Sequence, residues 1–265
     1  MMSQTTIIDT HTHIFPDKIA EKATAFVGDY YHYPTHGNGT IADLLTSASS
    51  AGVEKLLVFS SATKAEQVES VNTFIAENIS DTIAGFGSMH PDYTEFEKEI
   101  ERMLSMGLKG IKLHPDFQHF DIDDPRMYPI YEAAQGKLTF IFHVGDKNYD
   151  YSSPRRLAKV MKDFPNLTVI GAHLGGHSRW DEALDCLIGR NLYIDTSSVH
   201  QQLDNASIVN IIRKHDINRV LFATDYPLMR HDVALEKFFA LGLSSGENEK
   251  ILYENAQKLL FSNEK

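Results

Sequence analysis

The fold is decided by short apolar runs such as Leu138-Thr139-Phe140-Ile141-Phe142-His143-Val144-Gly145, which ends near a histidine. Apolar residues on successive positions are typical of parallel strands that are covered on both faces, because a strand with one solvated face alternates apolar and polar residues. A second run, Leu56-Leu57-Val58-Phe59, has the same character. Since parallel strands need crossover connections, helices are expected between such runs.

Eight β-branched and aromatic runs recur along the chain, and segments with helical spacing of apolar residues separate them. The predicted strands are 5–15, 55–61, 82–90, 108–114, 138–145, 167–175, 192–198 and 220–225. The predicted helices are 41–50, 65–79, 94–106, 126–135, 154–164, 180–188, 206–215 and 233–241, with a final helix at 247–261. This alternation predicts an α/β fold, a single (β/α)8 TIM barrel with an extra C-terminal helix.

The length of the chain fits one such barrel, which typically needs about 250 residues. The sequence has 265 residues, so we predict a single domain over 1–265. The longest stretch without a clear element is 16–40. Because it follows the first strand, it is expected to be a loop over the active-site face, where long loops often bind substrate.

The charge balance excludes some partners. A formal net charge of −11 argues against binding to nucleic acid or to an anionic membrane, which would both be repelled. Cys186 is the only cysteine, so no intramolecular disulfide can form. No apolar run approaches the roughly 20 residues of a membrane helix, and the first residues do not resemble an export segment. We therefore expect a cytoplasmic protein that acts on a small molecule; a homo-oligomer is left open.

Two histidines share one face of the first strand, which reads Ile7-Ile8-Asp9-Thr10-His11-Thr12-His13. Side chains alternate across a strand, so His11 and His13 point the same way and Asp9 lies one step deeper. Chance alone gives about 0.6 His-x-His occurrences in a chain of this histidine content, so the pair by itself does not establish a metal site.

Ligand-type residues also end other strands: His143 the fifth, His173 the sixth and Asp225 the eighth. A buried core histidine is the usual explanation for any one of them. In a (β/α)8 barrel, however, the carboxyl ends of all strands face the same opening. The positions together therefore favour a metal site over separate core histidines.

These residues resemble the amidohydrolase superfamily, and within it the amidohydrolase-related (amidohydrolase-2) family that includes aminocarboxymuconate semialdehyde decarboxylase. The resemblance covers the whole chain. It is carried by Asp9-Thr10-His11-Thr12-His13, Gly110-Ile111-Lys112-Leu113-His114-Pro115, His143, His173-Leu174-Gly175-Gly176, Thr224-Asp225-Tyr226-Pro227 and Glu254-Asn255-Ala256-Gln257-Lys258-Leu259-Leu260.

The resemblance implies a divalent metal, usually zinc, on His11, His13, His143 and Asp225. It implies that His173 acts on substrate, or binds a second metal with Lys112. Lys112 resembles the lysine that dihydroorotase carboxylates to bridge two metals; the alternative is an uncharged or ion-paired lysine that contacts substrate, with His114 nearer the metal. One metal or two is left open.

These groups are suited to hydrolysis, although the same ligand set also serves decarboxylation. A bound zinc ion lowers the pKa of its water to about 7. Asp225 is a candidate general base, and His173 is a candidate to polarise the substrate carbonyl. We predict hydrolysis of an amide, lactone or ester by metal-activated water. The alternatives are nonoxidative decarboxylation of an unsaturated or aromatic carboxylate, and a non-enzymatic metal-binding module. Further candidate substrate contacts are His90, Asp146, His177, Arg179 and Trp180.

Overall fold

A computed structural model describes residues 6–262, in which eight strands form one sheet whose order follows the chain. The strands are β1 (Ile7–His13), β2 (Val53–Phe59), β3 (Ile83–Ser88), β4 (Gly110–Leu113), β5 (Thr139–Phe142), β6 (Thr168–Gly171), β7 (Tyr193–Asp195) and β8 (Val220–Leu221). The last strand returns to the first, because the Thr10 amide donates to the Phe222 carbonyl at 3.0 Å and the Asp225 amide donates to the His11 carbonyl at 3.0 Å. The predicted (β/α)8 barrel is confirmed.

Helices lie between the strands at all the predicted places. They are α1 (Asp17–Tyr31), α2 (Ile41–Ser50), α3 (Val68–Ala76), α4 (Phe96–Ser105), α5 (Pro115–Gln118), α6 (Tyr128–Ala134), α7 (Pro154–Asp163), α8 (Trp180–Cys186), α9 (Asn205–Lys214), α10 (His231–Phe239) and α11 (Ser245–Glu249). The C-terminal helix continues through π-helical turns at Lys250–Glu254 and Gln257–Phe261. Within the described part of the chain, no helix is long and apolar enough to cross a membrane.

The prediction of a loop over 16–40 is wrong for most of its length, because Asp17–Tyr31 forms α1. Ile19, Ala23 and Phe26 stand at the spacing of an amphipathic helix, but only Ala20 and Thr24 of α1 are buried, and Ile19 and Phe26 are more than half exposed. Asp17 in the first turn favours the helix through its dipole, and His32 ends it in the left-handed conformation. The short helix α5 was not predicted either.

The chain divides into two compact units. The first consists of Met1–Val58, Ser80–Ala84 and Thr196–Lys265, and the second of Phe59–Ile79 and Gly85–Asp195. Ile8, Leu57 and Phe222 are buried in the first unit, and Phe86 and Phe142 in the second. The single domain over 1–265 remains a prediction. Thr5, where the first strand was predicted to begin, and the residues before it, which entered the prediction about export, lie outside the described residues.

Candidate metal centre

Three ligand atoms converge in the first unit, where β1 ends and the chain leaves β8. The Nε2 atoms of His11 and His13 lie 3.2 Å apart. The Oδ1 atom of Asp225 lies 3.3 Å from the first and 3.4 Å from the second. His11 is fully buried and His13 is half-buried, so the cluster is open to solvent on the His13 side.

The spacing fits a metal ion. Ligand atoms about 2.0–2.1 Å from a tetrahedral ion lie about 3.3–3.4 Å from one another. Two imidazole nitrogens and one carboxylate oxygen suit zinc and related divalent ions, and three protein ligands leave a position for water or substrate. The residues therefore fit a divalent metal.

Two neighbouring serines on the segment after β7 hold two of these ligands. The Ser197 hydroxyl lies 3.2 Å from Nδ1 of His11, the ring nitrogen remote from the cluster. The Ser198 hydroxyl donates to Oδ2 of Asp225 at 2.5 Å. Bonds of this kind orient metal ligands and fix the tautomer of a ligating histidine. The sequence did not indicate either serine, because each acts on a residue far away in the chain.

A second group of imidazoles lies in the second unit. The Nδ1 atom of His143 is 3.0 Å from Nε2 of His173, and its Nε2 atom is 2.8 Å from the Gly145 carbonyl. The amide of His173 donates to Asp195 at 2.9 Å, and the Trp180 indole donates to the His173 carbonyl at 2.9 Å. Burial holds the pKa of His143 well below its usual value, and the charges of His114, His173, His177 and Lys112 lower it further. His143 is thus kept neutral, as a metal ligand must be.

The ring of His143 is fixed by stacking. His114 stacks on it with centroids 4.1 Å apart, and Phe117 stacks on His114 at 3.7 Å. Lys112 is fully buried, with its ammonium nitrogen 4.9 Å from the centroid of the Phe59 ring. A cation over an aromatic face is attracted by the ring quadrupole. The carboxylation of Lys112 stays a prediction.

Asp116 was missed by sequence reasoning. Ligand atoms of Asp116, His143 and Asp146 lie within 4.8 Å of one another and form a second possible metal group. Asp116 is buried, and its Oδ2 atom lies 4.0 Å from Nε2 of His143. Burial raises its pKa to about 7. A protonated Asp116 would remove the cost of burying a charge.

The remaining predicted contacts have partners of their own. Arg179 forms ion pairs with Asp150 at 2.6 Å and Glu182 at 2.7 Å, so its charge is already balanced. Asp146 accepts from the amides of Asn148 and Tyr149. His90 accepts from the Asp92 amide, and His177 lies beside Trp180 with centroids 6.1 Å apart. Their contact with substrate remains a prediction.

The structure thus brings His11, His13 and Asp225 together in the first unit. It brings His143 and His173 together in the second. The four-ligand set that includes His143 stays a prediction.

Known proteins resemble this chain over nearly its full length. The model of a family described as amidohydrolase matches residues 8–261. No curated protein matches the chain in sequence. Three solved structures share its fold. 5-Carboxyvanillate decarboxylase from Sphingomonas paucimobilis is 18% identical, with a TM-score of 0.75 over 97% of this chain and 99% of that chain.

The second structure is a dihydroxybenzoic acid decarboxylase from Polaromonas sp. JS666 with bound manganese, 18% identical, with a TM-score of 0.72 over 97% of each chain. The third is a putative 2-pyrone-4,6-dicarboxylic acid hydrolase from Pseudomonas putida, 16% identical, with a TM-score of 0.69 over 97% of each chain. At these identities the similarity to the three structures is one of fold.

Proposed function

The chain belongs to the amidohydrolase family, and from that membership we propose that it is a metal-dependent hydrolase that cleaves an amide, lactone or ester bond of a small molecule through metal-activated water. The observation that carries the proposal is the convergence of His11, His13 and Asp225, with ligand atoms 3.2 to 3.4 Å apart. The carboxyl ends of barrel strands are where such folds hold their active sites.

We propose zinc as the metal and His143 as a further ligand. Zinc is supported by the nitrogen-rich donor set and by spacings that fit a tetrahedral ion. His143 is supported by its place directly after β5 and by the burial that keeps its ring neutral. Manganese is the alternative, since a solved structure of the same fold binds it. One ion is proposed, and two if Lys112 is carboxylated.

Asp225 and His173 would each have a role in the proposed hydrolysis. A bound divalent ion would lower the pKa of a water molecule to about 7. Asp225 would accept the proton of the water as its oxygen bonds to the substrate carbonyl carbon. It would return that proton to the leaving nitrogen or oxygen when the bond to that atom breaks. His173 would donate a hydrogen bond to the carbonyl oxygen as negative charge develops there.

Decarboxylation is the second candidate, and the names of two structural neighbours favour it. In that reaction the bond between the carboxylate and a ring or vinyl carbon breaks, carbon dioxide leaves, and a proton takes its place on the carbon. The same ligand set serves both reactions. The third structural neighbour is named as a hydrolase of a cyclic ester, so both candidates have a counterpart of the same fold.

Metal content tests the proposal first. Protein purified without chelator is expected to contain about one equivalent of zinc or manganese, and His13→Ala should lose it, because the variant keeps only two of the converging ligands. His119→Ala, which changes an exposed histidine, is the control. A wild-type protein that binds no divalent metal after reconstitution, or a His13→Ala variant that retains it, would overturn the proposal.

The reaction is tested on the metal-loaded protein. A pyrone lactone, a dipeptide and a dihydroxybenzoate are each incubated with zinc- and manganese-loaded enzyme. Hydrolysis is followed by loss of the pyrone absorbance or release of an amine, and decarboxylation by release of carbon dioxide. Carbon dioxide release without lactone or amide cleavage would replace the hydrolase with the decarboxylase.

We also propose that the protein is cytoplasmic, in keeping with the single cysteine, Cys186. Cell fractionation followed by immunoblotting tests this location.

A further inference from the structure

We propose that Asp9 is a positioning residue of the metal centre, whose carboxylate holds the backbone of His11 and the backbone on both sides of Asp225 at the spacing that a metal requires. This inference rests on the proposed metal site but assigns a role to a residue outside the ligand set. The carboxylate of Asp9 is fully buried.

The contacts of Asp9 join the two ligand-bearing segments. Its Oδ1 atom accepts from the His11 amide at 2.9 Å and from the Thr224 amide at 3.2 Å. Its Oδ2 atom accepts from the Thr224 hydroxyl at 2.5 Å. That hydroxyl oxygen in turn accepts from the Tyr226 amide at 3.1 Å. One carboxylate therefore reaches the residue before Asp225 directly and the residue after it through a single hydroxyl.

The segment at Asp225 needs such support because it is no longer regular strand. The strand β8 ends at Leu221, four residues before Asp225. Asp225 has a φ of +62°, in the left-handed region, where a continuous strand ladder cannot run. Its backbone is held to β1 by the Asp225 amide, which donates to the His11 carbonyl, and by the Tyr226 carbonyl, which accepts from the His13 amide. Side-chain hydrogen bonds hold the residues on either side of Asp225 as well. Asp9, on strand β1, accepts two of them, from the amide and the hydroxyl of Thr224, and that hydroxyl oxygen accepts the third, from the Tyr226 amide.

A buried histidine lies beside the Asp9 carboxylate within the first unit. His231, the first residue of α10, places Nε2 3.1 Å from Oδ2 of Asp9. The Nδ1 atom of His231 lies 2.9 Å from the hydroxyl of Ser47 in α2. All three residues are buried. A buried carboxylate is costly unless it is hydrogen-bonded, and the bonds that Asp9 accepts from the His11 amide and from the amide and hydroxyl of Thr224 meet that condition.

A hydroxyl variant tests the proposal with little disturbance of the fold. Thr224→Val removes the bond to Oδ2 of Asp9 and the support of the Tyr226 amide while it keeps the size of the side chain. Thr10→Val is the matched control, because the buried Thr10 hydroxyl also joins β1 to the segment after β8, by donating to the Phe222 carbonyl at 2.9 Å, without contacting Asp9. We expect zinc affinity, measured by competition with a chromogenic chelator, to fall about tenfold in Thr224→Val and to stay within about twofold in Thr10→Val. Equal affinities in the two variants would overturn the proposal.

Asp9 itself is tested with Asp9→Ala and Asp9→Asn. Loss of a group that supports metal ligands typically weakens metal binding about 10- to 100-fold, which is the loss expected for Asp9→Ala. Asp9→Asn keeps an oxygen that can accept from the amides of His11 and Thr224, so it should recover most of that loss. Glu99→Ala is the control for a lost buried carboxylate, because Glu99 accepts from Asn72 and Arg102 in the second unit. If Glu99→Ala weakens zinc binding as much as Asp9→Ala, general destabilisation explains the effect and the proposal fails.

Two readouts go beyond zinc affinity. The visible absorption spectrum of the cobalt-substituted protein should change in Asp9→Ala but not in Glu99→Ala, because the absorption bands of bound cobalt depend on the geometry of its ligands. Hydrogen exchange of metal-free protein should accelerate over 8–14 and 221–228 in Asp9→Ala, and unchanged exchange there would overturn the proposal. Because exchange needs no metal, it still decides the role of Asp9 if the wild-type protein binds none and the proposed function fails.

Discussion

The two carboxylate oxygens of Asp225 have different partners. Oδ1 faces the nitrogens of His11 and His13, and Oδ2 accepts from the Ser198 hydroxyl. One oxygen is therefore placed for a metal, and the other is held by the Ser198 hydroxyl. A carboxylate oxygen has two lone pairs, so Oδ2 can accept a further proton donor while it keeps Ser198.

Asp225→Asn separates the ligand role of this residue from its role as a base. If Asp225 is only a ligand, excess metal should restore most of the activity of the variant on the substrate that the metal-loaded wild-type enzyme turns over. We expect instead that the variant stays about 10²- to 10⁴-fold slower at metal saturation, because an amide cannot accept a proton. Activity of a saturated variant within a few-fold of wild type would refute the general-base assignment and shift attention to His173.

His200 makes the stability of the protein depend on pH. Burial, with a contribution from the charge of Lys237, lowers its pKa to about 4 from 6.5. The folded state therefore binds the proton more weakly than the unfolded state, so the contribution of His200 to stability is present above pH 6.5 and is lost as the pH falls towards 4.

His200→Gln removes this titration. The free energy of unfolding of the variant relative to wild type should rise by about 1 kcal/mol between pH 8 and pH 5, because solvent screens a partly exposed imidazole and the other titrating groups are common to both proteins. Urea unfolding of metal-free protein at the two pH values measures the difference. A difference that does not depend on pH would show that His200 does not titrate as inferred.

At the scale of elements, the C-terminal helix supports the strand that leads to Asp225. The side-chain amide of Asn255 donates to the carbonyls of Ile217 and Val220 at 2.8 and 2.7 Å, and the Phe222 amide donates to the Ile251 carbonyl at 3.0 Å. The π-helical turns of this segment therefore lie against the start of β8.

Asn255→Ala should leave two carbonyls without their donor, at a cost of about 2 kcal/mol. For a chain of this size the midpoint of thermal unfolding should fall by about 4–8 °C. Asn205→Ala is the control, because the side chain of Asn205 also donates to a carbonyl, that of Ala240, but is exposed. If Asn255→Ala had the same midpoint of thermal unfolding as Asn205→Ala, the supporting role of Asn255 would be contradicted.

The elements that could be predicted from the sequence are those whose burial leaves a local pattern. Each of the eight strands was anticipated, because apolar residues on successive positions mark strands covered on both faces. The helix α1 was not, although Ile19, Ala23 and Phe26 follow helical spacing, because the whole of 16–40 was assigned to a loop after the first strand. Ser197 and Ser198 could not be identified as supports of the metal ligands, because Asp225 lies 27 residues beyond Ser198 and no local pattern records that contact.

The site residues also differ in whether a local sequence pattern could predict them. His11 and His13 lie on one strand, and alternation alone puts them on one face. Their meeting with Asp225 followed only from the barrel, which returns β8 to β1. The stacking of His114 on His143 depends on side-chain orientations that strand periodicity does not determine.

At the scale of the whole molecule, metal binding and folding should be coupled. A ligand that binds only the folded state stabilises it by about 2.7 kcal/mol when its free concentration is 100 times the dissociation constant. For a chain of this size that corresponds to a rise of about 5–11 °C in the melting temperature. Differential scanning calorimetry of chelator-treated protein with and without zinc measures the rise, and His13→Ala should show little of it. An equal rise in both proteins would place the bound zinc elsewhere.

The closure of β8 onto β1 also sets an order for biosynthesis. His11 and His13 leave the ribosome early, whereas Asp225 is translated 212 residues after His13. For most of its translation, a nascent chain therefore contains His11 and His13 but not Asp225, the third member of their ligand group. Chains released by premature termination before Asp225 lack that carboxylate altogether, so the proposed metal would bind tightly only to polypeptides whose eighth strand has been synthesised and has closed the sheet.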